Sequence, residues 1–313
     1  MQAQTLRIAA IAGPTAAGKS ALALRLHAAG LPVELVNCDA LLVYRGLDAG
    51  TAKQDATERA QLPIHLLDVV EPHEAMTAGR WADLARPLLA EIAARGRIPL
   101  LVGGTGLYLR ALLRGLAPIP PVDPQLRAEL EQRFRELGAL AMHAELAALD
   151  PEYAAQTPPA NRQRVLRALE VALGTGKAFS QWHREHQAQP PAFRCLMAVL
   201  QPERAWLMGR IDRRAAAMAE PLLAEVAQLV AAGVDPAAPG MQALGYRDAA
   251  LVATGQAEAA GFAQRLAQAH RQYAKRQQTW FAAEPADLRL DSAQLDPLPA
   301  VQQALQHHFS LGL

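Results

Sequence analysis

The sequence predicts an α/β protein: a P-loop-type parallel sheet with helices on both faces, plus a smaller all-helical insertion domain. Three observations predict it. A short apolar run at residues 6–12 leads into GPTAAGKS (13–20) and then into a segment of helical spacing that stops at Gly30. Strand-like and helix-like runs then alternate as far as residue 104, the order of a parallel sheet covered on both faces. The rhythm breaks at the proline-rich LAPIPPVDP (116–124), and only helical periodicity follows, to about Gln189.

In order, LRIAAIA (6–12) reads as the first strand, and ALALRLHAAG as the helix that follows the glycine loop. PVELVNC (32–38) is a second strand ending at Asp39, HLLDVV (65–70) a third, and IPLLVGG (98–104) a fourth, with a helix at 77–95 before it. LRAELEQRFRELG and NRQRVLRALEVALG carry the helical spacing of the insertion, and FRCLMAVL (193–200) is a strand returning to the sheet. Long helices are expected from Glu203 to Ala232, interrupted at Pro221, and from about Ala257 to Ala283. The tail from about residue 289 carries little signal. The expected division is 1–117 and 191–313 for the core, the second part bearing basic C-terminal helices, and 118–190 for the insertion.

At 313 residues the chain exceeds the length at which single cores tend to divide. With 51% hydrophobic and 19% charged residues it is a folded chain, which excludes large-scale disorder. A net charge of +1 makes no global case for nucleic acid, so any such case rests on local clusters. Cys38 and Cys195 lie far apart and form no C-x-x-C, which excludes a disulfide framework and a cysteine zinc site. MQAQTLRIAAIAG reads as a lead-in to a first strand rather than a signal peptide, and no run reaches the roughly 18 apolar residues of a membrane span. The expectation is a cytoplasmic, reducing environment.

GPTAAGKS has the spacing of a loop that wraps phosphates. Gly13 and Gly18 let successive N–H groups turn toward an anion, Lys19 reaches the terminal phosphate, and the Ser20 hydroxyl suits Mg²⁺. The loop specifies an anion without choosing a reaction. Phosphoryl-transfer enzymes of this kind want a carboxylate at a neighbouring strand end, whereas IPLLVGGT ends in Gly-Gly-Thr; Asp68 is the remaining candidate. Thr105 offers a hydroxyl there, or the glycines simply make a tight turn. Asp39 is either a proton acceptor facing the same crevice or a turn residue.

Arg210 and Arg214 share a helix face with Arg213 beside them, either a solvated basic face or a clamp for diphosphate. From Ala259 to Ala283 there is no acidic residue, while Arg265, His270, Arg271, Lys275 and Arg276 interleave with Tyr273, Trp280 and Phe281. That suits an RNA backbone and an unstacked base, or a charged helix whose aromatics belong to the core. Arg162, Arg164 and Arg167 form a second cluster, among which Val165, Leu166 and Leu169 read as core.

GPTAAGKS, VELVNCDALLVYRGLDAGTAK (33–53), HLLDVVEP (65–72), GRIPLLVGGTGLYLRALLRGL (96–116), DPQLR (123–127), QRVLRALEV (163–171), ALGYRD (243–248) and YAKRQQTWF (273–281), in this order, resemble the bacterial tRNA dimethylallyltransferase family, also called isopentenyl-diphosphate:tRNA transferases. The resemblance implies transfer of a dimethylallyl group from dimethylallyl diphosphate to N6 of the adenosine immediately 3′ of the anticodon, with Mg²⁺. It implies that Gly13, Pro14, Thr15, Ala16, Ala17, Gly18, Lys19 and Ser20 hold the diphosphate, with Ser20 on the metal. Asp39 becomes the base, Thr105 and Arg214 stabilise the diphosphate, and Arg210 is a second candidate for that task. The tRNA anticodon stem-loop would be met by Asp39, Ala40, Leu41, Leu42, Thr105, Arg127, Gln163, Arg164, Val165, Leu166 and Arg167. Gln242, Ala243, Leu244, Gly245, Tyr246, Arg247, Lys275, Arg276, Gln277, Gln278, Thr279, Trp280, Phe281 and Ala282 complete that surface. A cytoplasmic monomer without membrane contact is implied, and a zinc-free one, since the cysteine and histidine extension of eukaryotic relatives is missing. The rival readings are a phosphate-loop small-molecule kinase and a nucleotide-switched RNA-binding protein without catalysis.

Overall fold

The structure, a computed structural model, describes residues 5–187 and 192–311. The expected boundary at 190/191, the helical spacing toward Gln189 and the first four residues lie outside the described residues. The elements are β1 (Leu6–Ala12), α1 (Lys19–Ala28), β2 (Val33–Asn37), α2 (Ala56–Gln61), β3 (Ile64–His65), α3 (Ala78–Ala94), β4 (Ile98–Gly103) and α4 (Gly106–Leu113). Then come α5 (Pro124–Leu149), α6 (Pro151–Ala155), α7 (Arg162–Thr175), α8 (Phe179–Gln187), β5 (Phe193–Leu200), α9 (Arg204–Ala231), α10 (Tyr246–Ala253), α11 (Phe262–Ala283), β6 (Leu288–Leu290) and α12 (Leu298–Phe309). They form two compact units, Met1–Leu113 with Ala192–Leu313, and Arg114–Pro191.

The first unit is built on a parallel sheet in the order β3-β2-β4-β1-β5-β6. Side chains alternate across a strand, so a strand covered on both faces must be apolar throughout. In β1, Ile8, Ala10 and Ala12 enter the core that holds Trp81, Leu89 and Phe281, while Ala9 and Ile11 enter the opposite core with Leu22, Leu26, Val301 and Leu305. The carboxyl ends of β1, β2 and β4 open toward residues 13–20, 38–42 and 104–105, the place where ligands gather in such sheets.

Four expectations change. HLLDVV is not a strand: pairing stops at His65, and Leu66 (φ 61°) and Asp68 (φ 53°) turn the chain through left-handed backbone before Val70 makes a single bridge to Tyr44. The turn is held by Asn37 Nδ2 donating to Leu66 O (3.0 Å) and by Lys53 and Arg59 on Asp68. Pro221 does not interrupt α9, which runs on as one helix because Ala215, Met218, Ala219, Leu222 and Val226 bury one stripe on both sides of it. α11 starts at Phe262 rather than at Ala257, behind the left-handed Gly261 (φ 72°). The tail contains β6 and α12, and α2 and α10 are further helices that periodicity did not mark.

The second unit is helical among its described residues. Leu130, Met142, Leu146, Val165, Leu166 and Leu169 form its core. Asp150, itself buried, caps α6 by accepting from Tyr153 N and also accepts from Ser180 N (2.7 Å), tying α6 to α8. No helix of the described chain is long and apolar enough to cross a membrane.

Candidate active site

The glycine loop adopts the backbone its residues allow. Gly13 has φ 140° and lies so close to β5 that a Cβ there would stand 2.5 Å from Leu200 O. Gly18 (φ 96°) is the N-cap of α1, and no side chain caps that helix, which leaves its first N–H groups for a ligand. Lys19 Nζ folds back to donate to Pro14 O (2.7 Å). Gln277, reaching in from α11, accepts from Thr15 N (2.8 Å) and donates to Gly104 O (2.9 Å), joining the phosphate loop to the turn after β4. Gly104 has no room for a Cβ because the Gln277 amide occupies that space.

Asp39 follows β2 in a tight local frame. Its N–H donates to Asn37 Oδ1 (2.9 Å), Asn37 Nδ2 donates to its carbonyl (3.1 Å), and its Oδ1 accepts from Leu41 N (3.0 Å). Trp81 Nε1 fixes this strand end by donating to Asn37 O (3.0 Å). Thr105 stands behind: its Oγ1 accepts from Ala40 N (2.9 Å) and its N–H donates to Cys38 O (3.2 Å). Thr105 is not among the residues lining the cleft; in this structure its hydroxyl braces the Asp39 loop.

The cleft itself has a volume of about 250 Å³. Thr15, Lys19, Ser20, Asp39, Arg210 and Arg214 line it together with Leu35, Leu42, Ile64, Leu67 and Val102. Arg210 Nε donates to Ala16 O (2.9 Å) and its guanidinium lies 4.7 Å from the Trp206 ring; Arg214 Nη2 donates to Thr51 O (2.9 Å). Desolvation pulls the Lys19 pKa down to about 8 against the opposing attraction of Asp39. Burial likewise lowers Arg214, again with Asp39 opposing. Two half-buried cations beside one carboxylate leave this part of the cleft net positive and suited to an anion. The lining thus combines cationic, carboxylate and apolar side chains in one cleft.

Residues 42–284 match the model of the family described as IPP transferase. The chain belongs to the IPP transferase family. It is 47% identical over 279 residues to a tRNA dimethylallyltransferase of Anaeromyxobacter sp. (strain K), covering 89% of this chain and 91% of that one. It is 42% identical to that of Syntrophobacter fumaroxidans, covering 94% and 86%. The full-length tRNA isopentenylpyrophosphate transferase of Bacillus halodurans has a similar structure, with a TM-score of 0.71, 34% identity and 97% of each chain covered. A eukaryotic dimethylallyltransferase crystallised acting on tRNA superposes with a TM-score of 0.78 at 26% identity, covering 96% of this chain and 78% of that one.

Within this IPP transferase family fold, the residues assigned to phosphate come together around one loop. Thr15, Ala16, Gly18, Lys19 and Ser20 line the cleft, and Gly13, Pro14 and Ala17 lie buried beneath it. The residues assigned to RNA fall into three classes of burial. Gln163, Arg164, Gln242, Arg247, Lys275, Arg276, Thr279 and Ala282 are exposed, and Ala40, Leu41, Leu42, Arg127, Arg167, Leu244, Gly245, Gln278 and Trp280 are half-buried. Val165, Leu166, Ala243, Tyr246, Gln277 and Phe281 are buried, so their side chains support a surface instead of forming one. Arg127 and Arg167 are in turn paired with Glu170.

The basic run of α11 also shrinks. His270 is buried, and desolvation with Arg214 nearby brings its pKa to about 4, so it is neutral. Arg265 pairs with Asp248 and Arg271 with Asp212, leaving Lys275 and Arg276 as the exposed charge. Sequence reading missed the Gln277 brace, although its signal was present: His270, Ala274, Gln277 and Phe281 recur at helical spacing and are the buried stripe.

Proposed function

We propose that this chain transfers a dimethylallyl group from dimethylallyl diphosphate to N6 of the adenosine immediately 3′ of the anticodon in tRNA. The observation that carries this reading is Asp39 sharing one cleft with Lys19, Ser20, Arg210 and Arg214 and with the apolar Leu35, Leu42 and Leu67. The tRNA dimethylallyltransferase relatives support it.

The allylic carbon–oxygen bond breaks as the carbon–nitrogen bond to N6 forms, and diphosphate leaves with the bonding electron pair. Stabilisation therefore belongs on the leaving group, where Lys19, Arg214, Arg210 and the uncapped first turn of α1 gather. N6 becomes acidic as it acquires the carbon, and Asp39 accepts its proton. Leu42 and Leu67 border the same space and would keep water from the allylic carbon. The base must leave its stack to reach Asp39, and the exposed Lys275 and Arg276 would hold the splayed backbone.

Among the described residues no group of His, Cys, Asp or Glu side chains could cage a metal. A hydroxyl in the first turn of a helix at the phosphate loop is instead the donor that Mg²⁺ takes when phosphate oxygens and water supply the rest, and Ser20 has that position. Bound there, Mg²⁺ would add positive charge for the departing diphosphate. A small-molecule kinase is not favoured, because β4 runs into Gly103, Gly104 and Thr105, and Asp68 is taken up by Lys53 (2.6 Å) and Arg59 (2.8 Å). The same reading makes the protein a cytoplasmic monomer.

The test is mass analysis of unmodified tRNA after incubation with protein, Mg²⁺ and dimethylallyl diphosphate. One added dimethylallyl group on one anticodon-loop adenosine is expected. Unchanged tRNA at saturating donor, or ATP turnover with a metabolite and no tRNA, overturns the reading.

A further inference from the structure

Arg214 is anchored by a carbonyl on a turn. Thr51 O, its 2.9 Å partner, lies in residues 47–53, which contain neither helix nor strand. A turn of this kind fixes a guanidinium only if it is itself fixed, and three side chains do so.

Glu225 Oε2 accepts from the N–H groups of Asp48 (3.0 Å) and Ala49 (2.8 Å). The Tyr246 hydroxyl accepts from Gly50 N (3.1 Å) and donates to Glu225 Oε1 (2.6 Å). Lys53 Nζ, its side chain sealed from solvent, donates to Tyr44 O (2.6 Å), Asp68 Oδ1 (2.6 Å) and Asp48 Oδ1 (2.8 Å). Thr51 Oγ1 closes the turn on Leu47 O (2.7 Å). The fit is tight at Gly50, where a Cβ would lie 2.5 Å from the Tyr246 ring.

Glu225 and Arg214 are both on α9, so one helix grips the turn through Glu225 and is gripped by it through Arg214. Tyr246 is 0% exposed. It has no surface to offer RNA, and its hydroxyl is fully engaged.

We propose that Tyr246, Glu225 and Lys53 are positioning residues for Arg214, acting through the 47–53 turn to hold its guanidinium against the leaving diphosphate. The inference rests on the function proposed above. It assigns these residues to the stabilisation of the leaving group and removes Tyr246 from RNA recognition. Small displacements of a group aimed at developing charge are costly, up to about a hundredfold in rate for roughly 1 Å.

Tyr246→Phe deletes one hydroxyl and keeps the ring. In the full chain it should lower kcat by about tenfold to a hundredfold and leave the KM for tRNA unchanged. Inorganic pyrophosphate, measured by calorimetry as a probe of the leaving-group site, should bind about tenfold more weakly. In an Arg214→Ala background the same change should have no further effect, because the group it positions is gone. Glu225→Gln, which keeps an acceptor oxygen, should fall between wild type and Tyr246→Phe, and carries the test if the phenylalanine variant is unfolded by circular dichroism. A raised KM for tRNA with kcat intact, or an equal loss with and without Arg214, overturns the proposal. Wild-type protein that prenylates no tRNA takes down both readings, whereas an active wild type with an indistinguishable Tyr246→Phe takes down this one alone.

Discussion

Opposite faces of α11 treat neighbouring residues in opposite ways. Lys275 and Arg276 stand in solvent, while Ala274, Gln277 and Phe281, a step of helical period away, are buried, Ala274 against Leu207 and Ile211 of α9. The outward face presents charge that any polyanion could meet. The inward face carries one polar side chain, 5% exposed, which holds the phosphate loop and the turn after β4 in a single frame. Within a few residues, then, charged side chains are left to solvent while a neutral amide joins the glycine loop to the turn after β4.

Asp39 gives the scale for that contrast. Asp39→Ala should lower kcat by about 10²–10⁴-fold while tRNA retention on a filter is unchanged. Next comes the inward face. Gln277→Ala strands Thr15 N and Gly104 O, so a loss of about 1–3 kcal/mol in denaturant stability is expected together with a fall in kcat. If Gln277→Ala alters only tRNA affinity, the two faces do not differ in kind.

A pH profile locates the charge in the cradle. Burial lowers Lys19 to about 8, so kcat/KM for dimethylallyl diphosphate should decline above that pH as the free protein loses the ammonium. Stability moves the other way. Between about 8 and the ordinary lysine value of 10.5 the unfolded chain holds the proton that the folded one has released, so Lys19 contributes increasing stability as pH rises through that window. A profile flat to pH 10 would contradict the lowered Lys19 pKa. The smallest effect belongs to the outward face. Lys275→Ala with Arg276→Ala should weaken tRNA binding severalfold and reduce its salt slope by about 2, with kcat at saturating tRNA unchanged.

Much of the core was legible because β1, β2, β4 and β5 need apolar residues on both faces, and the sequence spells them as continuous runs. β3 was overextended because Leu66, Leu67, Val69 and Val70 read as an apolar strand run, and what bends the chain at Leu66 and Asp68 is a set of hydrogen bonds and ion pairs from Asn37, Lys53 and Arg59. α12 escaped notice because only Val301 and Leu305 fully anchor it. The phosphate loop is local chemistry and could be read directly. Gln277 meets Thr15 across 262 positions and Tyr246 meets Gly50 across 196, distances over which no spacing rule carries information. Their buried positions also explain why residues matched to RNA by resemblance include several that never face solvent.

The central strand pairing has a consequence for how the chain is made. β1 lies between β4 and β5, in register with β5 from Leu6↔Phe193 to Ala12↔Val199. During synthesis at about 5–20 residues per second, β1 therefore waits roughly 10–40 s for that neighbour. The intervening segment has a buried cluster of its own, running from Leu130 to Leu169, and can consolidate in the interval. A chain arrested before Phe193 should accordingly show protease-resistant helices beside a sheet that is still open along one side of β1, the side on which a nascent chain would require a chaperone.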